Sequence, residues 1–212
     1  MAKSNQAMVT TCLLAGGQGL RMQGQDKGLV DYKGQVLASW VLRALTPQSD
    51  RICISANRNL QAYADLLAQH QPNLHTPAEH VWPDDSDLPA HSGPLAGILT
   101  ALRRVNTDWL MIAPCDTPDL PANLIQILLD KALSEQADIV VPETHPLGDE
   151  PRLHWVCALV NKRVYQQTED AFVKGERKVG NWVRSLNWVS VSFCDDAAFK
   201  NMNTLVTLHD RA

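Results

Sequence analysis

The feature that most constrains this chain is the regular exchange of short apolar runs with helical patterns. "MVTTCLLAG" is strand-like and runs straight into a glycine-rich loop. "RICISAN" is a second strand, followed by the helical segment "LQAYADLLAQ", and "HVWPDD" is a third strand stopped by Pro83. "PLAGILTALRRV" reads as a helix with Pro94 in its first turn. "WLMIAPCD" is a buried strand, "PANLIQILLDKALS" a helix and "DIVVP" another strand. Further along, "HWVCALV" and "WVSVSF" read as strands and "NKRVYQQTEDAFV" as a helix. In "VLASWVLRAL" the helical period places Val36, Leu37, Trp40, Val41 and Ala44 on one stripe. Alternation of this kind predicts an α/β fold, Rossmann-like and doubly wound, with a mostly parallel sheet and helices on both faces.

With 212 residues and no long linker, repeat or low-complexity tract, the chain is expected to form a single domain, 1–212. The segment from Glu143 to Arg152, which holds "HPLGDEPR", is its most loop-like interior stretch. It divides a first half, about 1–142, from a second, about 143–212. A formal net charge of -4 argues against nucleic acid as a partner, so any anion must meet a local cluster of cations and amides. The five cysteines are scattered, without CxxC pairs or zinc spacing, and read as small core residues in a reducing compartment. No apolar run has the length of a signal peptide or a membrane span, so the expected location is cytoplasmic, with no membrane partner.

In open α/β sheets ligands bind beyond the carboxyl ends of the strands, which makes the loop after the first strand, "LLAGGQGLRMQGQDKG", the first candidate site. Gly16, Gly17 and Gly19 let a ligand approach the backbone, and consecutive amides can cradle phosphate oxygens. Arg21 and Lys27 supply positive charge. The loop is not a Walker A motif, because Lys27 follows Asp26 and precedes Gly28. Nor is it a dinucleotide fingerprint, because Met22 stands at the third glycine position. A second candidate is "LMIAPCDTPDLP", which delivers Asp116 to the same edge of the sheet. A carboxylate facing a phosphate loop suits a hard divalent cation.

The segments "LLAGGQGLRMQGQDKGL", "SANRN", "SGPLAGILTAL", "PCDTPDLP" and "MNT" occur in an order that resembles the molybdenum cofactor guanylyltransferase family, one of the nucleotidyltransferases that transfer NMP and release pyrophosphate. The resemblance covers nearly the whole chain. It implies transfer of GMP from GTP to the phosphate of molybdopterin, with Mg²⁺ as cofactor. A cytidylyltransferase for the same pterin, or a sugar-phosphate nucleotidyltransferase, would share the loop and Asp116. A non-catalytic nucleotide-binding regulator is the alternative of another class.

The resemblance makes Arg21, Lys27 and Asp116 catalytic, with Asp116 the metal ligand. It assigns Leu14, Ala15, Gly16, Gly17, Lys27, Ser55, Asp85, Gly93 and Asp116 to GTP binding. Asn57 is the alternative to Ser55, and Asp84 the alternative to Asp85. Arg177, Lys178, Asn201 and Asn203 fall on the pterin side, in the second half. Arg58 reads as a surface charge and His154 as structural. Partners implied besides the two substrates are other molybdenum cofactor biosynthesis proteins or molybdoenzyme chaperones.

Overall fold

The structure is a computed structural model that describes residues 8–17, 24–146 and 150–202. Its centre is a mixed, mostly parallel sheet. The strands are β1 (Val9–Leu14), β4 (Arg51–Ser55), β5 (Val81–Trp82), β6 (Trp109–Pro114), β7 (Ile139–Thr144), β8 (Arg152–Leu153), β9 (Ala158–Asn161) and β10 (Trp188–Phe193). Their spatial order is β10-β7-β9-β6-β1-β4-β5, with β8 added beside β7. β1 pairs in parallel with both β4 and β6, and β10 in parallel with β7. β9 runs antiparallel between β6 and β7. A short hairpin, β2 (Asp31–Tyr32) and β3 (Gln35–Val36), stands apart from this sheet. Its two turn residues, Lys33 and Gly34, have φ of 53° and 78°, the double left-handed geometry of a type I′ turn.

The strands alternate between two cores because successive side chains point to opposite faces. Leu13, Ile52, Ile54, Trp109 and Met111 enter one core, which is covered by α1 (Leu37–Leu45), α2 (Leu60–His70) and α4 (Leu124–Glu135). Cys12, Cys53, Leu110 and Ile112 enter the other, beneath α3 (Pro94–Arg104), α5 (Tyr165–Val173) and α6 (Val179–Arg184). A sheet covered on both faces needs strands apolar on both faces, which is how these runs read. Cys12, Cys53, Cys115 and Cys157 are buried; Cys194 is exposed. Among the described residues no helix is long and apolar enough to cross a membrane.

Helix α1 departs from the stripe its sequence suggested. Its buried face is Leu37, Ala38, Val41, Leu42 and Leu45. Val36 is the extended residue before the helix, and Trp40 turns toward the hairpin, where its indole N–H donates to the Tyr32 carbonyl at 2.9 Å. The apolar positions of this helix serve two neighbours, so one stripe could not describe them. The segment read as one helix from Asn161 begins instead with a 3-10 turn, Lys162–Val164, before α5.

Two connections fix the ligand edge. From β1 the chain moves to β4 and β5 on one side, then returns to β6 on the other. The crevice at this reversal, beyond the carboxyl ends of β1 and β6, is where open α/β sheets bind ligands. Under the opposite face, Thr168 joins α5 to α6. Its hydroxyl donates to the Val164 carbonyl at 2.8 Å and accepts the Trp182 indole N–H at 3.1 Å. Trp182 is fully buried, so Thr168→Val leaves that N–H without an acceptor. We expect it to lower stability by ~1–3 kcal/mol, as a fall in the urea midpoint with an unchanged slope.

Candidate active site

The strand ends are held in step by hydrogen bonds just past the sheet. Cys115 N–H donates to the Leu14 carbonyl at 3.1 Å, and Ala15 N–H to the Ser55 carbonyl at 2.8 Å. The three chain segments leave the sheet side by side, carrying Gly16, Asn57 and Asp116 to one edge. A cavity of about 670 Å³ opens there. Leu14, Ala15, Gly16, Gly17, Lys27, Ser55, Gly93, Asp116 and Asn201 line it, as the sequence leads one to expect of a common site; so do Asp26, Asn57, Arg58, Asp84, His91 and Val156. Gly17 faces open space, whereas a Cβ on Gly16 would lie 3.2 Å from Asn57 Nδ2. Gly93 has φ of 77° and begins α3, so a side chain there would strain the turn. Gly97 has a packing reason: a Cβ would fall 2.5 Å from Ser55 Oγ.

Lys27 and Asp116 come from loops 89 residues apart and form an ion pair. Asp116 is almost completely buried, and its backbone carbonyl accepts the Met202 N–H at 2.9 Å. That bond brings the C-terminal segment over the site and sets Asn201 against the cavity. Cys115 also lines the cavity, but burial pushes its thiol well above the usual range, with the neighbouring Asp116 and Asp26 charges adding to the effect. A thiol held in that form is a poor nucleophile.

Lys27 is anchored by its neighbours. Asp26 is buried and accepts the Tyr63 O–H at 2.6 Å and Asn59 Nδ2 at 3.0 Å, with Arg58 Nε 3.5 Å away. Gly28 follows; a Cβ there would sit 2.5 Å from the Tyr63 hydroxyl and 3.3 Å from Cys115. Arg58, read in the sequence as a surface charge, donates to the Gly24 and Gln25 carbonyls at 2.8 and 2.9 Å. Asp26 gave a signal only by standing beside Lys27. Asn59 and Tyr63 gave none, because a carboxylate 33 to 37 residues upstream is their partner.

Other expected residues stand away from the cavity. Asp85 does not line the cavity: Arg103 and Arg104 both pair with its carboxylate, and its N–H donates to Thr100 Oγ1. Asp84 lines it instead, in a reciprocal pair with Asn57: Asn57 Nδ2 donates to Asp84 Oδ2, and Asp84 N–H to Asn57 Oδ1, both at 2.8 Å. The acidic run "DDSD" gives no register by itself; the two arginines on α3 select Asp85. Arg177 and Lys178 do not reach the cavity either. The Arg177 guanidinium lies over the Phe172 ring and donates to the Phe172 and Glu176 carbonyls, closing the end of α5. Lys178 is the exposed residue that starts α6. His154 is structural, stacked on Phe199 and bonded to Thr144 Oγ1, with burial lowering its pKa. Gly19, Arg21 and Asn203 lie outside the described residues.

Among the described residues no three His, Cys, Asp or Glu side chains gather to hold a metal. Asp116 is the carboxylate at the strand tip, while Asp26 is committed to its three partners. One carboxylate fits Mg²⁺, which commonly takes one or two protein oxygens and the rest from phosphate and water.

Fold and site together define a nucleotidyltransferase-type domain. A family model described as "MobA-like NTP transferase domain" matches residues 11–190. A molybdenum cofactor guanylyltransferase from Burkholderia ambifaria is 39% identical over 208 residues, covering 96% of this chain and 95% of that protein. Another, from Cupriavidus metallidurans, is 36% identical over 202 residues, covering 95% and 93%. Among solved structures, molybdopterin-guanine dinucleotide biosynthesis protein A from Archaeoglobus fulgidus superposes with a TM-score of 0.69 at 23% identity, covering 95% of this chain and 96% of that one. The 4-diphosphocytidyl-2C-methyl-D-erythritol synthase of Anaerococcus prevotii shares the fold, with a TM-score of 0.71 at 10% identity over 97% and 94% of the chains. The chain belongs to the MobA-like NTP transferases, in the molybdenum cofactor guanylyltransferase family.

Asp84 gives a pH prediction. Its carboxyl pKa is raised above the ordinary value of 3.8, first by burial and then by the Asp85 charge, against the opposing bond from Asn57. The fold therefore disfavours the charged form. The stability it contributes when protonated, below 3.8, is lost as pH rises through the raised folded value. Asp84→Asn should match the wild type in acid and melt higher than it at neutral pH, in a pH series of thermal melts.

Proposed function

We propose that this protein transfers GMP from GTP to the phosphate of molybdopterin, forming the guanine dinucleotide form of the molybdenum cofactor and releasing pyrophosphate. The observation that carries the reading is the meeting of Lys27 and Asp116 at the mouth of a cavity on the β1/β6 reversal. Family membership supports guanine and the pterin.

The acceptor phosphate oxygen attacks the α-phosphorus in line, and the bond to the pyrophosphate oxygen breaks. No protein nucleophile is needed, which agrees with the protonated, buried Cys115. The amides of Gly16 and Gly17 donate to phosphate oxygens, and Lys27 offsets charge that builds on the leaving pyrophosphate. Arg21 is proposed to share that role. Leu14 and Ala15 form the floor of the pocket. Ser55, Asn57, Asp84 and the backbone around Gly93 offer the base and ribose their polar contacts. Asn201 stands where the acceptor enters, with Asn203 assigned beside it from the family motif. Asp116 would hold Mg²⁺, which when bound polarises phosphate oxygens and neutralises their charge. Catalysis is then positioning plus charge stabilisation.

The test is pyrophosphate release from each NTP, with and without molybdopterin. GTP should be used at least ~10-fold better than CTP or ATP, because a wrong base leaves buried polar groups unpaired. Equal use of CTP would overturn the guanine assignment, and no release with any acceptor would favour a non-catalytic nucleotide binder.

Two variants test the site itself. Lys27→Ala should lower turnover by about 100-fold or more, roughly 3 kcal/mol, with the fold intact. Asp116→Asn should retain GTP binding to within about tenfold yet lose most turnover at saturating Mg²⁺, since one carboxylate among several oxygen ligands has been removed. An Asn variant with unchanged Mg²⁺ dependence would remove Asp116 as metal ligand.

A further inference from the structure

The junction between β4 and α2 contributes three side chains that converge on the exit of the glycine loop. Arg58 reaches the Gly24 and Gln25 carbonyls with its two terminal nitrogens, and its Nε faces Asp26 Oδ2 at 3.5 Å. Asn59, the left-handed residue that starts α2, donates to the same Asp26 oxygen at 3.0 Å. Tyr63, fully buried one turn into the helix, donates to Asp26 Oδ1 at 2.6 Å. On the other side of Lys27, Gly28 is wedged against the Tyr63 hydroxyl and Cys115. The lysine backbone is thus pinned at the residue before it and at the residue after it.

We propose that Arg58 and Tyr63 are positioning residues for phosphate binding, acting through Asp26 to fix where Lys27 emerges into the cavity. A lysine side chain has four rotatable bonds, so its ammonium is confined only when its backbone origin is fixed and a partner such as Asp116 holds its tip. The brace fixes that origin. Its parts are chemically suited to it, because a guanidinium carries its donors on a rigid planar fork, so the two terminal nitrogens hold the Gly24 and Gln25 carbonyls while Nε stays 3.5 Å from Asp26. The Tyr63 hydroxyl stays protonated as a donor, because burial and the neighbouring acidic groups oppose its ionisation. Arg58 itself is spent on the loop carbonyls and Asp26, so its effect on a phosphate is indirect.

This inference rests on the functional reading only in needing a polyphosphate at Lys27. The test therefore uses inorganic tripolyphosphate with Mg²⁺, titrated by calorimetry, which involves neither base nor acceptor. Arg58→Ala and Arg58→Lys should each weaken tripolyphosphate binding by about tenfold, and Tyr63→Phe by about threefold, each losing charge-assisted or buried hydrogen bonds that hold the loop. In the Lys27→Ala background the same substitutions should change binding by less than about twofold, since their effect passes through the lysine. Equal losses in both backgrounds would overturn the proposal, as would unchanged binding in Arg58→Lys and Tyr63→Phe. A general loss of structure would lower the melting temperature without abolishing the losses in the Lys27→Ala background. If Arg58→Ala does not fold, Arg58→Lys and Tyr63→Phe decide the matter. Failure of the wild type to bind tripolyphosphate overturns the proposal. Coupled losses in a protein that releases no pyrophosphate from any NTP would instead sink the guanylyl-transfer reading and leave the brace standing.

Discussion

The site depends on the register between β1 and β6. Leu14 stands opposite Pro114, and the Cys115 N–H closes onto the Leu14 carbonyl one step beyond the sheet. A slip of one residue would turn every side chain of a strand to the other face. Both faces are packed here, so the slip would also exchange Leu13 with Cys12 and Met111 with Ile112 between unlike cores. Register is thus fixed by burial along the strands, and the two loops inherit it. Lys27 and Asp116 meet because the apolar part of the chain permits one alignment.

The same logic explains how far the site was legible. The sheet was readable because parallel strands covered on both faces must be apolar runs, and turn signals such as Pro83 and Pro94 punctuate them. The cavity edge was readable because glycines and a lone carboxylate at strand exits have few structural uses. Where the structure departs from the reading, a side chain is taken up by a partner that no motif announces. Asp84 and Asp85 are adjacent and chemically alike; Arg103 and Arg104, a helix later, draw Asp85 away and leave Asp84 to Asn57. Arg177 carried a charge suited to a phosphate, but its guanidinium lies over the Phe172 ring and donates to the Phe172 and Glu176 carbonyls. Trp40 matched the period of the core stripe, yet its N–H required an acceptor, which the hairpin offered.

A mildly acidic chain that binds a polyanion must solve a local charge problem. Three carboxylates, Asp26, Asp84 and Asp116, line the cavity that the nucleotide is proposed to enter. Each is managed by a different device. Asp26 is taken up by a phenol, an amide and a guanidinium and serves as an anchor. Asp116 pairs directly with Lys27, so the two charges largely cancel at a distance. Asp84 is held by the neutral Asn57 amide rather than by a cation, and burial raises its pKa.

These devices divide the cavity by chemistry. Beside Lys27 the cavity is lined by Gly16 and Gly17, and the nearby Asp26 is already held by Tyr63, Asn59 and Arg58. Where Asp84 and Asn57 bond to each other, the wall presents a half-buried carboxyl, a surface that would suit the N–H donors of a base better than a phosphate. A triphosphate nucleotide carries its charge at one end and its hydrogen-bonding ring at the other. Under the proposed function, the separation of Lys27 from Asp84 would give the two ends of the nucleotide different surroundings, built from residues at four different strand exits. No single motif carries this arrangement: the glycine loop, Asn57, Asp84 and Asp116 share one cavity only once β6, β1, β4 and β5 lie side by side.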